Sequence, residues 1–315
     1  QVTPSVAMRG SLSTTFRGPP QPFLQGRGTS LQFVGAVLAF KAVDTVGNPN
    51  LKPETANTAN IGIIFDRGGF YGSLDYWRFD FEDPFQVESF NAILGAYGSN
   101  GCEPGGTGVG SETCELLSQH LVFQPGASGL VSEVQRFEVN WINGSDVSTS
   151  GVDWLAQYDF QLGQGGMLTL GTQGTHTIEY VVDDFQDING VFLTEGVDFA
   201  GNLNDNRNTL TPLVDLQGNL FAKWAMGRHR VTAILRYWGE YDDPEAIPSL
   251  QTVDSMTTVD LTYNLSLLDD ALTVNLSAFN LLDEEPPRTQ TDLNYDPYTH
   301  NAFGRMLKLG LIYRL

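Results

Sequence analysis

Lys308-Leu309-Gly310-Leu311-Ile312-Tyr313-Arg314-Leu315 closes the sequence. Leu307, Leu309, Leu311, Tyr313 and Leu315 fall on one face of an extended segment, because side chains alternate with period two along a strand. Lys308, Gly310 and Arg314 fall on the other face, with Ile312 the exception. Two structures fit this pattern: the buried last strand of a soluble sandwich, and a strand with one face in lipid. The rest of the sequence decides between them.

The 315 residues include 34 Gly, 19 Phe, 11 Tyr and 5 Trp, and only 17% are charged. Soluble domains carry roughly 25%. Yet no uninterrupted apolar run approaches the ~20 residues that a membrane-spanning helix needs. Apolar character is spread through short alternating runs, the pattern of strands that put lipid-facing and lumen-facing side chains at successive positions. The length suits one large domain or two smaller ones. A net charge of -20 excludes the Lys/Arg footprint of a nucleic-acid binder and disfavours an anionic ligand. Cys102 and Cys114 are close in a glycine-rich segment. A bridge between them implies an oxidising compartment, the periplasm or cell surface, whereas two unrelated thiols imply nothing. Gln1-Val2-Thr3 shows neither the basic nor the apolar region of a signal peptide.

Alternation predicts ten strands, over about 5–16, 56–65, 70–82, 136–160, 167–180, 211–225, 230–241, 255–267, 271–282 and 302–315. The fourth carries an irregular middle at Asn143-Gly144-Ser145. The third switches face, with Leu74 and Tyr76 on one side and Trp77, Phe79 and Phe81 on the other, which either a bulge or an exit from lipid explains. Short turns centre near Arg67, Gln164, Arg228 and Asp269, the last of them Asp269-Asp270. Long connections cover about 17–55, 83–135, 181–210, 242–254 and 283–301. Long and short alternate without exception. A soluble sandwich has no reason to sort loop length by end, whereas outer-membrane barrels pair tight periplasmic turns with longer extracellular loops. On that basis Val152, Trp154, Tyr158, Phe160, Val259, Leu261, Tyr263, Leu309, Leu311 and Tyr313 face lipid, and Asp153, Gln157, Asp159, Asp260 and Asn264 face the lumen.

Five segments carry a family resemblance. Phe16-Arg17-Gly18-Pro19 resembles the "FRAP" segment of TonB-dependent outer-membrane receptors. Gly47-Asn48-Pro49-Asn50-Leu51-Lys52-Pro53-Glu54-Thr55 resembles their "GNPxLKPE". Asn143-Gly144 through Ser150-Gly151-Val152-Asp153 resembles "N-x-G…G-[VI]-[DE]", and Asn280-Leu281-Leu282-Asp283 resembles "NLFD". Tyr295-Asp296-Pro297, with His300-Asn301 and Gly304-Arg305, resembles the closing segment before the last strand. The order is that of the family. Two departures stand out: Gly18 replaces the usual Ala, and the final residue is Leu where an aromatic is more usual. Lys308, Gly310, Tyr313 and Leu315 resemble the terminal signal by which such barrels are recognised for insertion.

The resemblance implies an all-β protein, an antiparallel transmembrane β-barrel of which these would be about the last ten of 22 strands around a plugged lumen. Residues 1–315 would then be the C-terminal portion of the barrel. The plug and earlier strands would lie on a missing N-terminal segment, in the same chain or a separate one. The implied function is TonB-energised uptake of a large nutrient (an iron chelate, cobalamin, an oligosaccharide or a peptide) across the outer membrane of a Gram-negative bacterium. Its partners would be the TonB system, reached through the missing segment, and outer-membrane lipid. A passive porin and a surface-binding barrel without transport are the alternatives.

Chemistry-bearing patterns are sparse. His120, His176, His229 and His300 lack metal-ligand spacing, and no G-x-S-x-G elbow occurs. We therefore expect no catalytic residue, no cofactor and no metal centre. Gly105-Gly106-Thr107-Gly108-Val109-Gly110 reads as a flexible loop tip. Asp183, Asp184, Asp187, Asn189, Glu195 and Asp198 read as a solvated acidic loop, with a calcium site the sharper alternative. Phe85, Phe90, Tyr97, Phe123, Phe185, Phe192, Tyr295 and Tyr298 fall in the long loops, to pack loop on loop or to stack on a ligand.

Overall fold

The computed structural model describes residues 2–203, 213–244, 246–269, 271–291 and 293–314. Ten long strands form one antiparallel, sequentially ordered sheet. They are β1 (Val6–Arg17), β2 (Glu54–Arg67), β3 (Phe70–Glu82), β4 (Val147–Leu162), β5 (Gly166–Val182), β6 (Leu216–Met226), β7 (His229–Trp238), β8 (Met256–Leu267), β9 (Leu272–Phe279) and β10 (Met306–Tyr313). A two-residue strand, Val197–Asp198, adds to the top of β5. Among the described residues β1 pairs only with β2 and β10 only with β9, so the sheet is an arc of barrel wall, not a closed ring.

Tight turns link β2–β3, β4–β5, β6–β7 and β8–β9, and long connections link the other pairs. The β2–β3 turn shows why these can be short. Arg67 pairs with Phe70, leaving Gly68 (φ 62) and Gly69 (φ 91) as a two-residue loop. Positive φ at both positions matches the strand twist and strains any residue with a Cβ.

Register fixes the two faces. One row runs Phe160, Leu168, Trp224, Val231, Tyr263, Leu276, Leu309. The next runs Phe70, Tyr158, Leu170, Ala222, Ala233, Leu261, Ala278, Leu307. Both are apolar, and Tyr158, Phe160, Leu170, Leu261, Leu276, Leu307 and Leu309 among them are exposed. The opposite parity gives Arg9, Gly62, Asp75, Asp153, Thr175 and Gln217 in one row. The lipid and lumen faces are therefore those expected from alternation.

The face switch in β3 is an exit from the apolar band. β3 pairs with β2 and β4 without a register shift, so there is no bulge. Leu74 and Tyr76 are followed on the same outward face by Arg78 and Asp80. Arg78 pairs with Asp80 at 2.7 Å and with Glu179 of β5 at 2.6 Å. A charged outward cluster marks the level at which the wall leaves hydrocarbon, because ions are costly inside it. Trp77 lies over Gly151, whose missing side chain leaves the indole its place.

The expected fourth strand divides. Val134–Asn143 leaves the wall and runs parallel to Ala39–Val46 in a separate small sheet, with Arg27–Val34, Phe85–Val87 and Leu121–Phe123. Only Val147–Leu162 spans. The break is at Asn143-Gly144-Ser145, where a side chain on residue 144 would overlap Gln86. The expected start of the sixth strand (Thr211), the turn residue Asp270 and the terminal Leu315 lie outside the described residues.

Three of the motif segments meet at the base of this small sheet. Arg17 grips Glu54 at 2.7 Å, and its guanidinium lies 5.2 Å from the Phe85 ring centre. Lys52 N–H donates to Asn143 Oδ1 (2.9 Å), while Asn143 Nδ2 donates to the carbonyls of Lys52 (3.0 Å) and Asp83 (2.9 Å). Backbone groups just beyond the β2 and β3 ladders are thus satisfied by the Asn143 side chain. Asn280 and Asp283 do the same in the β9–β10 connection. Asn280 exchanges bonds with Glu284 (2.8 and 3.0 Å), and Asp283 accepts from Arg305 N–H at 2.7 Å.

Candidate functional site

Two features stand out: the concave wall, and the packed loops at its extracellular end. The wall is polar and carries paired charges. Arg9 reaches across Gly62 to Asp75, with Nε–Oδ1 at 2.7 Å and Nη2–Oδ2 at 2.5 Å. Asp75 lies so flat on the neighbouring strand that a Cβ at position 62 would overlap its carboxylate. Farther round, Arg236 donates to Asp260 at 2.9 Å, which also accepts Asn280 N–H at 2.9 Å. Asp153 takes the Thr175 hydroxyl and Asp159 the Thr169 hydroxyl. Between the two ion pairs a cavity of about 720 Å³ is lined by Asp153, Gln173, Gln217, Asn219, Arg236 and Trp238, among others. Such a surface offers many donors and acceptors with its charges balanced. It suits a large polar body, since no single charge dominates.

Above the wall, the largest hydrophobic core of the molecule belongs to the loops. Val34, Val43, Phe137 and Val139 of the small sheet pack on α1 (Phe90–Ser99) and α2 (Glu112–Ser118). Ser89 and Ser111 cap the two helices by accepting from Ala92 and Cys114 N–H, a capping role common to serine. Cys102 and Cys114 are joined in a disulfide inside this core, both 6% exposed. Of the glycine-rich stretch between them, Gly106 and Gly108 lie close on neighbouring backbone, whereas Gly105, Thr107, Val109 and Gly110 are exposed. Side chains on Gly106 or Gly108 would run into the carbonyls of Gly101 and Asn100.

The acidic loop is also tied down. Asp187 is buried against His120, with Nε2–Oδ2 at 3.3 Å, and accepts the N–H groups of Asn189 (2.8 Å) and Val191 (2.7 Å). Glu88 sits on the other side of the same ring, Oε2 to Nδ1 3.7 Å. It takes N–H bonds from Asn140 (2.6 Å) and Ile188 (2.5 Å). Burial works against a charge on His120, but the Asp187 bond and the Glu88 charge outweigh it and raise its pKa. Burial raises that of Glu88. For Asp187 the opposing burial is overcome by His120 and the backbone donors, and its pKa falls. Asp184 and Asp198 spend oxygens on Gly196, Tyr180 and Ala200 N–H groups. Among the described residues no three His, Cys, Asp or Glu side chains converge on a point that could hold a metal ion.

On the outer face of the small sheet Asp44, 1% exposed, accepts from Thr29 at 2.5 Å and Arg136 at 2.6 Å. These bonds, the Thr29 hydroxyl first, bring its carboxyl down to about 2. A second, smaller loop core joins Leu203, Val214, Tyr241 and Val253. Tyr241 donates to the buried Asp296 at 3.0 Å. Burial pushes this hydroxyl well up, so it stays a donor. The motif residue Asp296 therefore ties the β7–β8 connection to the β9–β10 connection.

Of the residues singled out in the terminal signal, Lys308, Gly310 and Tyr313 lie in β10. Lys308 and Gly310 point to the lumen face, opposite Ser277 and Asn275, and Tyr313 points outward opposite Leu272. Sequence reading missed the Arg9–Asp75 pair, the Asp44 cluster and the Glu88–His120–Asp187 cluster. Only the first left a trace, an arginine and an aspartate on lumen-facing parity. The other two are assembled from segments remote in sequence.

The family description "TonB dependent receptor-like, beta-barrel" matches residues 1–281. No curated protein matches the chain. Among solved structures, a variant of the ferric enterobactin receptor from Pseudomonas aeruginosa is similar, with a TM-score of 0.60 and 15% identity over 99% of this chain and 38% of that one. The siderophore receptor PirA from Acinetobacter baumannii gives 0.61 and 16% over 99% and 39%. The outer membrane transporter YddB from Escherichia coli gives 0.51 and 12% over 85% and 33%. This chain thus spans under two fifths of the length of these proteins, and the likeness is one of fold. With the motif order, the sorted loops and the two-faced wall, the match assigns the class. The chain belongs to the TonB-dependent receptor-like β-barrel family, outer-membrane receptors and transporters of Gram-negative bacteria and not enzymes.

Proposed function

We propose that the protein takes up a large nutrient across the outer membrane, energised by TonB. The observation that carries this reading is the combination of a wide, charge-balanced polar wall with extracellular loops that have a core of their own. The outer edges of β1 and β10 expose unpaired backbone groups, each costing several kcal/mol in lipid. We infer that strands outside residues 1–315 complete the ring, and that a plug occupies the lumen against the Arg9–Asp75 and Arg236–Asp260 pairs. The similar siderophore receptors make an iron chelate the first ligand to try, with cobalamin, oligosaccharide and peptide next.

The test is uptake of labelled candidates by cells carrying the full-length gene, with and without TonB. Uptake that needs both supports the proposal. Uptake that persists without TonB and scales with concentration identifies a passive pore. Surface binding with no internalisation in either background identifies a binding protein.

A further inference from the structure

We propose that the open edge of the small extracellular sheet, Arg27–Val34, is a docking strip for one extended segment of this same protein, the extracellular connection that descends into the strand beside β1. The proposal rests on the reading that strands outside residues 1–315 complete the ring. Arg27–Val34 pairs in unbroken register with Ala39–Val46, and among the described residues with no other strand. Its second row of backbone N–H and C=O groups is left open. A free edge is normally blunted by a proline, a bulge or a lysine. Arg27-Gly28-Thr29-Ser30-Leu31-Gln32-Phe33-Val34 has no proline, no lysine and no shift of register. Its one charge, Arg27, stands at the foot and is held by Glu138 at 2.7 Å and Asp44 at 3.4 Å. Beside the edge the outward face is apolar. Leu31, Phe33 and Phe40 are 72%, 52% and 68% exposed, and the Phe33 and Phe40 rings meet at 5.5 Å. Val34, of opposite parity, is buried in the loop core.

Two observations name the occupant. The first is a turn ahead of β1. Thr3 and Val6 form an antiparallel bridge around Pro4-Ser5. Val2 and Thr3 N–H donate to the Val6 carbonyl at 2.9 and 3.1 Å, and Val6 N–H donates to the Thr3 carbonyl at 3.3 Å. β2 fills the other side of β1, so the backbone traced back from Thr3 climbs the free border of β1, from Val6 toward Arg17. The second is that the small sheet repeats the order of the wall. Arg27–Val34 follows β1, Ala39–Val46 leads into β2 and Val134–Asn143 leads into β4, and the three stand side by side in that order. The border strand of the wall and the open strand of the small sheet therefore lie at the same end of the order. A segment that lines β1 is carried on to Arg27–Val34. The solved siderophore receptors of this fold hold more than half of their length beyond the part this chain covers. A segment tethered so near the edge outcompetes a second copy or a foreign protein through its effective concentration. Strand addition of this kind binds by main-chain hydrogen bonds and selects by alternate side chains. The docked segment should thus be apolar at every second residue, against Leu31 and Phe33.

The test is amide hydrogen exchange and photo-cross-linking of the full-length protein in outer-membrane vesicles. On a bare antiparallel edge every second amide points to solvent and exchanges freely. With the strip covered, all amides from Gly28 to Val34 should exchange at least about a hundredfold more slowly than free amides. A benzophenone amino acid in place of Leu31 should link to a peptide upstream of residue 1, with the product still running as a monomer. Free exchange at alternate amides overturns the proposal, as does a link to a second copy, to another protein or only to peptides within residues 1–315. TonB-dependent uptake is scored separately. A bare edge in a protein that transports overturns this inference alone, and a covered edge in one that does not leaves it standing.

Discussion

Replacing Asp187 by Ala should release the β5–β6 connection from the loop core. Asp187 accepts two backbone N–H groups within its own turn and one from His120. Breaking one side of a buried ion pair costs about 3–5 kcal/mol. Here the His120 contact is long at 3.3 Å and Glu88 stays 3.7 Å away on the other side of the ring. The charge left behind is therefore partly compensated, and about 2–3 kcal/mol is the better figure. At 1.4 kcal/mol per decade this makes local opening some 30–150 times more frequent. Hydrogen exchange at the amides of Ile188, Val191 and Leu193 should speed up by that factor, with the wall strands unchanged. pH offers an independent check. A His120 pKa raised in the folded state stabilises the dock fully below the unfolded value near 6.5, and the contribution fades as pH rises through the folded value. Wild-type exchange in this loop should accelerate toward alkaline pH, and the Asp187→Ala variant should lose that dependence. Equal protection in both proteins at neutral pH would refute the clamp.

Three further outcomes are expected. Leu311→Arg puts a charge on the lipid face, at about 2–4 kcal/mol near mid-bilayer, whereas Asn264→Arg puts it on the lumen face. Assembly into outer membranes should fail for the first and survive for the second. Arg136→Ala should cost Asp44 one of its donors and raise its carboxyl toward the ordinary range. Stability of the loop core then falls away at a higher pH on acidification than in wild type, which holds until pH approaches about 2, and acid titration of near-ultraviolet dichroism reads the difference. Non-reducing peptide mapping should find Cys102 linked to Cys114. Reduction should loosen α1 and α2 and leave the wall intact, because both sulfurs lie in the loop core.

The wall was legible because a two-residue period leaves a mark on every strand. Val152 to Phe160 and Leu307 to Tyr313 state their faces outright. Loop sorting was legible because turns such as Asp66-Arg67-Gly68-Gly69 have a strong local chemistry. What lay beyond the sequence was the packing of the connections. Val134–Asn143 alternates like a wall strand, and period two does not tell a membrane sheet from the parallel pairing with Ala39–Val46 that it makes. Likewise Glu88, His120 and Asp187 are spread over three segments of loop. Each looks like a solvated charge until the fold brings them within 4 Å. Composition did not tell the crowded Gly106 and Gly108 from the open Gly105 and Gly110, since glycine serves close approach as well as freedom.

The parity of the sheet has a last consequence. With ten strands in strict up-and-down order, β1 rises where β10 descends, so the two borders of the arc are antiparallel complements. A sheet of odd number would present borders that run the same way. Residues 1–315 produced alone would therefore be able to join border to border, two arcs sharing one membrane orientation around a twofold axis. A sodium dodecyl sulfate-resistant dimer, dispersed by boiling, would be its signature. The same even parity permits the arc to be grafted into any barrel of even strand number without reversing a single strand.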